Sequence, residues 1–525
     1  MDRSIRRLGA FLIGLFCILF VQLNYIQVWR ADDLNTKPEN RRPIDQAFNR
    51  PRGTVSTSDG VVLARSVASD DRYEYQREFP EGELYAHITG YFSYLFGATG
   101  LERAYNDELS GTTAGQRVRD VGDLFVRKDR TGNLKLTVRS DVQAAAKAAL
   151  GDQKGSVVAL DPRTGGVLAL WSWPTFDPNL LSDHDLEAAG NVKKVYEAAD
   201  GEPLLAKVYR EIYPPGSTFK VVTGSTGVET GMVTPTQPVY PTIRALDLPQ
   251  TTRVLPNFGG SLCGGTLFTI LAKSCNTSFG QMGLDMGGPA LIDGAKRFGF
   301  NSTPPLDLPA VPSRFPDIDF SQQLPTLAQS AIGQYDVAAT PLQMALVAAG
   351  VANDGVIMEP HVVDEIRDGE GELVRRLEPT AWRRAVSPQT ADTMRQAMRE
   401  VVARQRHAPA DPGRRRGGQD RYGPVRPGRP AALARVGDRV GRPARPAPLG
   451  GGGGPRRGPG GRERADRRPR GRPHRQAGDR GRPRPAAGTS RRHHQHHRHH
   501  QHHRTGRWRL MSVVVSLPVR SRSLS

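Results

Sequence analysis

Cysteine is scarce in this 525-residue chain: Cys17, Cys263 and Cys275 are the only three. That is too few to staple a disulfide scaffold, and their spacing lacks the paired pattern of a zinc site. Lysine is missing altogether after residue 403, where the stretch from Arg404 to Ser525 holds 32 Arg against 6 acidic residues. The formal charge of +20 would ordinarily raise nucleic acid or an anionic surface as a partner. The tail alone carries +26, however, which leaves −6 on residues 1–403. Specific nucleic-acid binding is therefore not a property of the main body. With 37% hydrophobic and 24% charged residues, the chain is not collagen-like, coiled-coil or wholly disordered, and it has room for about two to four domains. The tail is a second composition, poor in aliphatics, with the run Gly450 to Gly454 and ten of the 13 His.

At the amino terminus Arg3, Arg6 and Arg7 precede an uninterrupted apolar run from Leu8 to Val21, and apolar character continues to Trp29. As a helix, Leu8 to Trp29 would span roughly 33 Å, enough for a bilayer core. No A-x-A pattern of small residues follows, which favours an uncleaved anchor over a signal peptide. The preceding arginines place the amino terminus in the cytoplasm and the rest of the chain outside. That compartment permits a disulfide between Cys263 and Cys275; two buried free thiols are the alternative.

Beyond the anchor, Val55 and Val61 to Ala64 flank Ser58-Asp59-Gly60, a hairpin signal. Gly100-Leu101-Glu102 with Ala104 and Tyr105 opens a helix. Residues 30–135 read as a small mixed α/β module, a pedestal. A helix capped by Ser140 over 141–150 then precedes strands at Gly155 to Leu160 and Val167 to Ser172, joined by a Pro/Gly turn. Helices at Pro341 to Val351 and Thr390 to Val402 follow among Pro-rich loops. The expected fold class is α+β, with an antiparallel sheet and helices in residues 136–403.

The chemistry concentrates at Tyr213-Pro214-Pro215-Gly216-Ser217-Thr218-Phe219-Lys220, where Pro and Gly stop an extended segment and Ser217 opens a helix. Ser217 and Lys220 are three apart and share a helical face. A serine hydroxyl becomes a nucleophile when a neighbour takes its proton, and a buried lysine can do so. Helix-start N–H groups can also stabilise a developing oxyanion. Alone, S-x-x-K is also an ordinary surface cap. A second element, Ser274-Cys275-Asn276, offers a hydroxyl for proton relay and a carboxamide for a substrate amide, or else a polar loop bonded to itself.

These two elements, in this order, resemble the penicillin-binding protein and serine β-lactamase superfamily. Arg52-Gly53-Thr54-Val55, Asp59-Gly60, Gly100-Leu101-Glu102 and Tyr105 resemble the amino-terminal module of class B penicillin-binding proteins. Pro174 to Asn179, Gly333-Gln334 and Thr340 to Met344 are similar to their transpeptidase domain. The short module is most similar to the subtype called penicillin-binding protein A. The resemblance covers residues 1–402 and implies a membrane-anchored D,D-transpeptidase that cross-links peptidoglycan stem peptides ending in D-Ala-D-Ala. It assigns Ser217 as nucleophile, Lys220 as general base, Ser274 as proton relay and Asn276 as holder of the substrate amide. β-Lactams would acylate Ser217, a cell-wall glycosyltransferase would be a partner, and no metal or organic cofactor is implied. A D,D-carboxypeptidase, a β-lactam-sensing receptor and a catalytically inactive cell-wall scaffold are the alternatives.

One family element is absent. No K-T-G occurs anywhere in the sequence, and the family pattern stops where the arginine-rich tail begins. Read one base out of frame, Gly418 to Gly423 followed by Pro424 can be written GGG CAA GAC CGG TAC GGC C, which becomes GGC AAG ACC GGT ACG GCC, or Gly-Lys-Thr-Gly-Thr-Ala. The same displacement lets Arg406 to Gly413 encode a Gly-Thr segment ending in Ile-Pro-Gly. A one-base frameshift between Val402 and Arg406 is the expectation that follows. Residues 404–525 are then a disordered, out-of-frame tail, the catalytic domain is incomplete, and the literal chain is impaired. The histidines from His493 to His503 become a Thr/Ser tract in the displaced frame and not a metal site.

Overall fold

The computed structural model describes residues 2–26, 42–113, 131–407 and 513–518. The apolar run forms the helix Asp2–Asn24, whose side chains from Leu8 to Leu23 lie largely exposed. Its stretch Arg7–Asn24 is long and apolar enough to cross a membrane. A helix in lipid satisfies every backbone group internally and needs no protein cover for such side chains. Residues 27–29 of the expected span fall outside the described residues.

The pedestal begins with the anticipated hairpin: Val55–Ser56 pairs antiparallel with Val62–Ala68 across a turn in which Gly60 takes φ 89°. Tyr75–Glu78 joins the far edge of the second strand, and Asn133–Leu136 runs parallel to the first. Val363–Arg367 and Leu373–Arg376 then complete a six-stranded sheet. Those last two strands come from the segment assigned by sequence to residues 136–403, so this sheet draws strands from both sides of residue 135. Asn133–Leu136 would otherwise present an edge of unpaired N–H and C=O groups, and Val363–Arg367 closes it.

The pedestal's charged motif is structural. Glu102 accepts from Arg52 Nε at 2.9 Å and from Arg77 Nε at 2.7 Å, and all three side chains are at most 2% exposed. Burial would raise the carboxyl's pKa, but the Arg77 and Arg52 guanidiniums outweigh it and hold Glu102 below its usual range. The Arg52 guanidinium also lies 4.1 Å from the Phe92 ring centroid. Tyr105 then ties the pedestal to the larger domain by donating to Asp307 at 3.3 Å, while Asp307 accepts the backbone N–H of Val363 at 2.8 Å.

In the larger domain the helix Ser140–Leu150 and the antiparallel strands Gly155–Leu160 and Val167–Trp173 lie where the sequence places them. The cap differs. Ser140 is the first helical residue, Arg139 holds the cap position, and the Ser140 hydroxyl donates to Asp59 of the pedestal. Asp59 accepts both the Ser140 N–H and its hydroxyl, so a pedestal carboxylate serves this helix start in place of a serine cap. The helices Pro341–Ala352 and Pro388–His407 match expectation, the former capped by Thr340, which accepts from the Gln343 N–H at 3.1 Å.

Gly155–Leu160 is buried along its whole length. Its second edge is covered by Val513–Pro518, antiparallel, with Val513 opposite Leu160 and Pro518 opposite Gly155. Within residues 404–525, expected as a disordered tail, the described residues are this strand and the end of the helix that continues to His407. The physical reason for the pairing is the strand edge: a buried row of donors and acceptors takes the β-branched run Val513-Val514-Val515 available in the tail. Among the described residues this sheet has three strands.

Candidate active site

Ser217 lies in a 3-10 turn, Gly216–Phe219, and the helix proper, Lys220–Glu229, starts three residues later than the sequence suggests. The turn is fixed from three sides. Tyr213 and Ala339 exchange backbone hydrogen bonds of 2.9 and 2.8 Å, and Gly216 N–H donates to Gly333 O at 2.9 Å. Gly333 takes φ 72°, and a Cβ there would stand 2.2 Å from Gly216 O, so only glycine allows this approach. Phe219 stacks on Phe315 with centroids 5.4 Å apart and meets Phe300 edge-on. This packing explains why the Gly333-Gln334 and Thr340 to Met344 segments lie beside the serine.

Lys220 is fully buried. Its Nζ is 3.0 Å from Ser217 Oγ, 2.8 Å from Ser274 O, 3.0 Å from Ser274 Oγ and 2.7 Å from Asn276 Oδ1. Two of these four, the Ser274 carbonyl and the Asn276 carboxamide oxygen, can only accept. A neutral amine has two N–H groups and one lone pair, so it can satisfy both carbonyls and still turn its lone pair to a serine hydroxyl. A protonated amine instead donates a third bond to that hydroxyl. The same cage therefore accommodates Lys220 before and after it takes a proton. The structure thus brings Ser217, Lys220, Ser274 and Asn276 together around one nitrogen.

Ser274 closes the helix Leu267–Lys273 in the left-handed conformation, φ 58° and ψ 49°. Asn276 opens the helix Asn276–Arg297, and its Nδ2 donates to Pro256 O at 3.0 Å. Between them Cys275 is bonded to Cys263, S–S 1.94 Å, which answers the choice between a disulfide and two free thiols. Cys17 is free and exposed on the apolar helix. Sequence reasoning missed Asn257, whose Oδ1 accepts the Thr277 N–H at 3.0 Å while its Nδ2 donates to Ile243 O at 2.9 Å. Nothing in its local sequence distinguishes it from a loop asparagine.

The segment leading to the serine rests on another buried amine. Lys207 Nζ donates to Glu202 O at 2.6 Å, and burial lowers its pKa to about 8. Among the described residues no group of three or more His, Cys, Asp and Glu could hold a metal. The histidines from His493 to His503 and the residues 418–423 that could recode the missing motif lie outside the described residues.

Residues 155–418 match the family described as penicillin binding protein transpeptidase domain, and residues 52–134 match the penicillin binding protein A dimerisation domain. The peptidoglycan D,D-transpeptidase PbpA of Mycolicibacterium smegmatis is 39% identical over 426 residues, covering 78% of this chain and 84% of that protein. The protein of the same name from Mycobacterium tuberculosis is 37% identical over 422 residues, with the same coverage. Among solved structures, PBPA from M. tuberculosis superposes with TM-score 0.65 at 36% identity, covering 70% of this chain and 84% of that one. A ceftriaxone acyl-enzyme complex of penicillin-binding protein A from M. tuberculosis has TM-score 0.65 at 35% identity, covering 68% and 82%.

Proposed function

The chain belongs to the penicillin-binding proteins with a transpeptidase domain, and from that premise we propose how its residues carry out D,D-transpeptidation of peptidoglycan. Ser217 Oγ attacks the carbonyl carbon between the two terminal D-alanines of a stem peptide while Lys220 Nζ takes the hydroxyl proton. Collapse of the tetrahedral intermediate breaks the amide bond, and the proton passes through Ser274 Oγ to the departing nitrogen of D-alanine. An amine from a neighbouring stem then attacks the ester, its proton returns to Ser217 Oγ, and the cross-link is released. Asn276 orients the substrate amide. β-Lactams acylate the same serine. The observation that carries this reading is the cage of four oxygens at 2.7–3.0 Å around Lys220 Nζ. Labelling of the full chain by a fluorescent penicillin tests it: Ser217→Ala and Lys220→Met abolish the label, and persistent labelling of Ser217→Ala refutes the assignment.

We also infer the setting. The helix through Arg7–Asn24 supports a single anchor; we place its arginine-bearing end in the cytoplasm and the catalytic domain outside, and the family resemblance suggests a glycosyltransferase as partner. We propose the division into residues 1–29, 30–135, 136–403 and 404–525, with Val363–Arg376 lent to the pedestal sheet.

We likewise propose the frameshift. The family match ends at residue 418, where codon degeneracy permits the displaced frame to encode Gly-Lys-Thr-Gly-Thr-Ala. The nucleotide sequence around codons 400–425 decides it. An in-frame reading whose codons for residues 418–423 do not recode to that segment overturns it.

A further inference from the structure

Ser274 and Asn276 reach Lys220 from a hinge two residues long. Leu267–Lys273 ends as Ser274 enters the left-handed region, and the next helix begins at Asn276. A serine is strained in that region and persists there only when its surroundings impose it. Each oxygen the motif offers Lys220 depends on the torsions of this hinge: Ser274 O, Ser274 Oγ and Asn276 Oδ1. Cys275 sits between the two residues whose oxygens reach Lys220. Its side chain is bonded instead to Cys263, and both residues are buried.

The anchor at the other end is itself held. Cys263–Gly265 pairs antiparallel with Tyr240–Ile243, Cys263 opposite Ile243. Asn257 spans the same two places, donating to Ile243 O and accepting from Thr277 N–H. The hinge is thus gripped at two nearby points, covalently through Cys275 and by one amide side chain at Thr277. A staple serving stability alone has no reason to sit inside the motif that surrounds the base.

We propose that the Cys263–Cys275 disulfide is a positioning element of the acylation site: it holds Ser274 and Asn276 against Lys220, and its reduction slows acylation while the domain stays folded. The proposal rests on the reading of Ser217 and Lys220 given above and deepens it. The step is a thiol–disulfide exchange. A dithiol reductant gives two electrons and two protons, the S–S bond breaks, Cys263 and Cys275 become thiols, and the reductant closes to its own disulfide. The reverse exchange restores the link, so the site responds to the thiol–disulfide poise around it.

The experiment uses the full chain in detergent, oxidised, reduced with dithiothreitol and reoxidised, beside the double variant Cys263→Ser, Cys275→Ser. Acylation by a fluorescent penicillin is measured against concentration to separate binding from the chemical step, with amide hydrogen exchange and thermal unfolding on the same samples. Reduction is expected to lower the acylation rate constant about 10- to 100-fold, to leave binding nearly unchanged, and to raise exchange at residues 274–277. Reoxidation restores both readouts. Ser274→Ala, costly in the oxidised protein, adds little in the reduced one, a coupling that a purely structural staple does not produce. Unchanged exchange at residues 274–277 overturns the proposal, and so does an acylation loss that merely follows the unfolded fraction. If the oxidised chain takes no label, the same measurement on the chain with its reading frame restored after Val402 decides whether the assignment of Ser217 fails, while exchange at residues 274–277 still decides the role of the disulfide. If the double variant does not fold, the comparison of reduced with reoxidised wild type decides between these outcomes.

Discussion

Replacing Glu102 by glutamine keeps its shape and removes one charge from the centre of the pedestal. Glu102 is 0% exposed and the two arginine side chains 2%, so water cannot take over the lost interactions. The carboxylate accepts hydrogen bonds from Arg52 Nε at 2.9 Å and Arg77 Nε at 2.7 Å, and Arg77 Nη2 lies 2.6 Å away as an ion-pair contact. A carboxamide has a single acceptor oxygen, and its NH2 would face a guanidinium, donor against donor. At an effective dielectric of about 20, each of the two opposite-charge contacts is worth about 4 kcal/mol, partly offset by the desolvation cost of the buried carboxylate, which glutamine avoids. The net loss of about 5 kcal/mol agrees with the roughly 3–5 kcal/mol found when one partner of a buried pair is removed. For a domain of about 100 residues that lowers the pedestal's melting transition by roughly 20–40 °C. Scanning calorimetry of the full chain, with urea unfolding alongside, measures it. Combining Glu102→Leu with Arg52→Met and Arg77→Met should recover much of the loss, because no charge is then left buried alone. A loss below about 1 kcal/mol for Glu102→Gln would refute the argument, since it would mean that water or relaxation satisfies both guanidiniums.

Two other outcomes follow from the geometry. Gly333→Ala places a Cβ 2.2 Å from Gly216 O at a backbone φ of 72°, so the Ser217 turn must move. Penicillin acylation is expected to slow about 100-fold while the melting temperature changes by only a few degrees, and an unchanged rate would mean that the turn tolerates displacement. His87 is buried, its Nε2 2.8 Å from Pro203 O, and burial depresses its pKa to about 4. The unfolded chain therefore binds the extra proton first, so stability is lost as the pH falls from about 6.5 towards 4, by about 3 kcal/mol in total. Urea titrations at pH 7 and pH 4.5 on the protein and on His87→Gln check this, and equal pH slopes would contradict it.

Much of the architecture was legible because it is local. The Asp59-Gly60 turn, the Pro/Gly turn between Gly155–Leu160 and Val167–Trp173, and the apolar helix Pro341–Ala352 are each set by residues within a few positions. The pairing of Ser217 with Lys220 was legible for the same reason, as one helical turn brings them together. What went unread involves partners far apart in sequence. Ser140 looks like a cap until Asp59 stands beside it, and residues 363–376 look like catalytic-domain sequence until they join the pedestal sheet. The tail reads as disorder until Val513–Pro518 meets an open strand edge.

The sequence by itself determined the chemistry available: a serine and a lysine one turn apart, a Ser-Cys-Asn motif, an apolar helix at the amino terminus, and an arginine-rich tail where a K-T-G belongs. Only the tertiary structure decided that Ser274 O, Ser274 Oγ and Asn276 Oδ1 converge on Lys220 Nζ, and that Cys275 is tied to Cys263. Residue types and short spacings are fixed by covalent geometry and local torsions, which a linear chain carries with it. Convergence of distant groups on one atom is fixed by packing and strand pairing, which exist only once the chain has closed on itself.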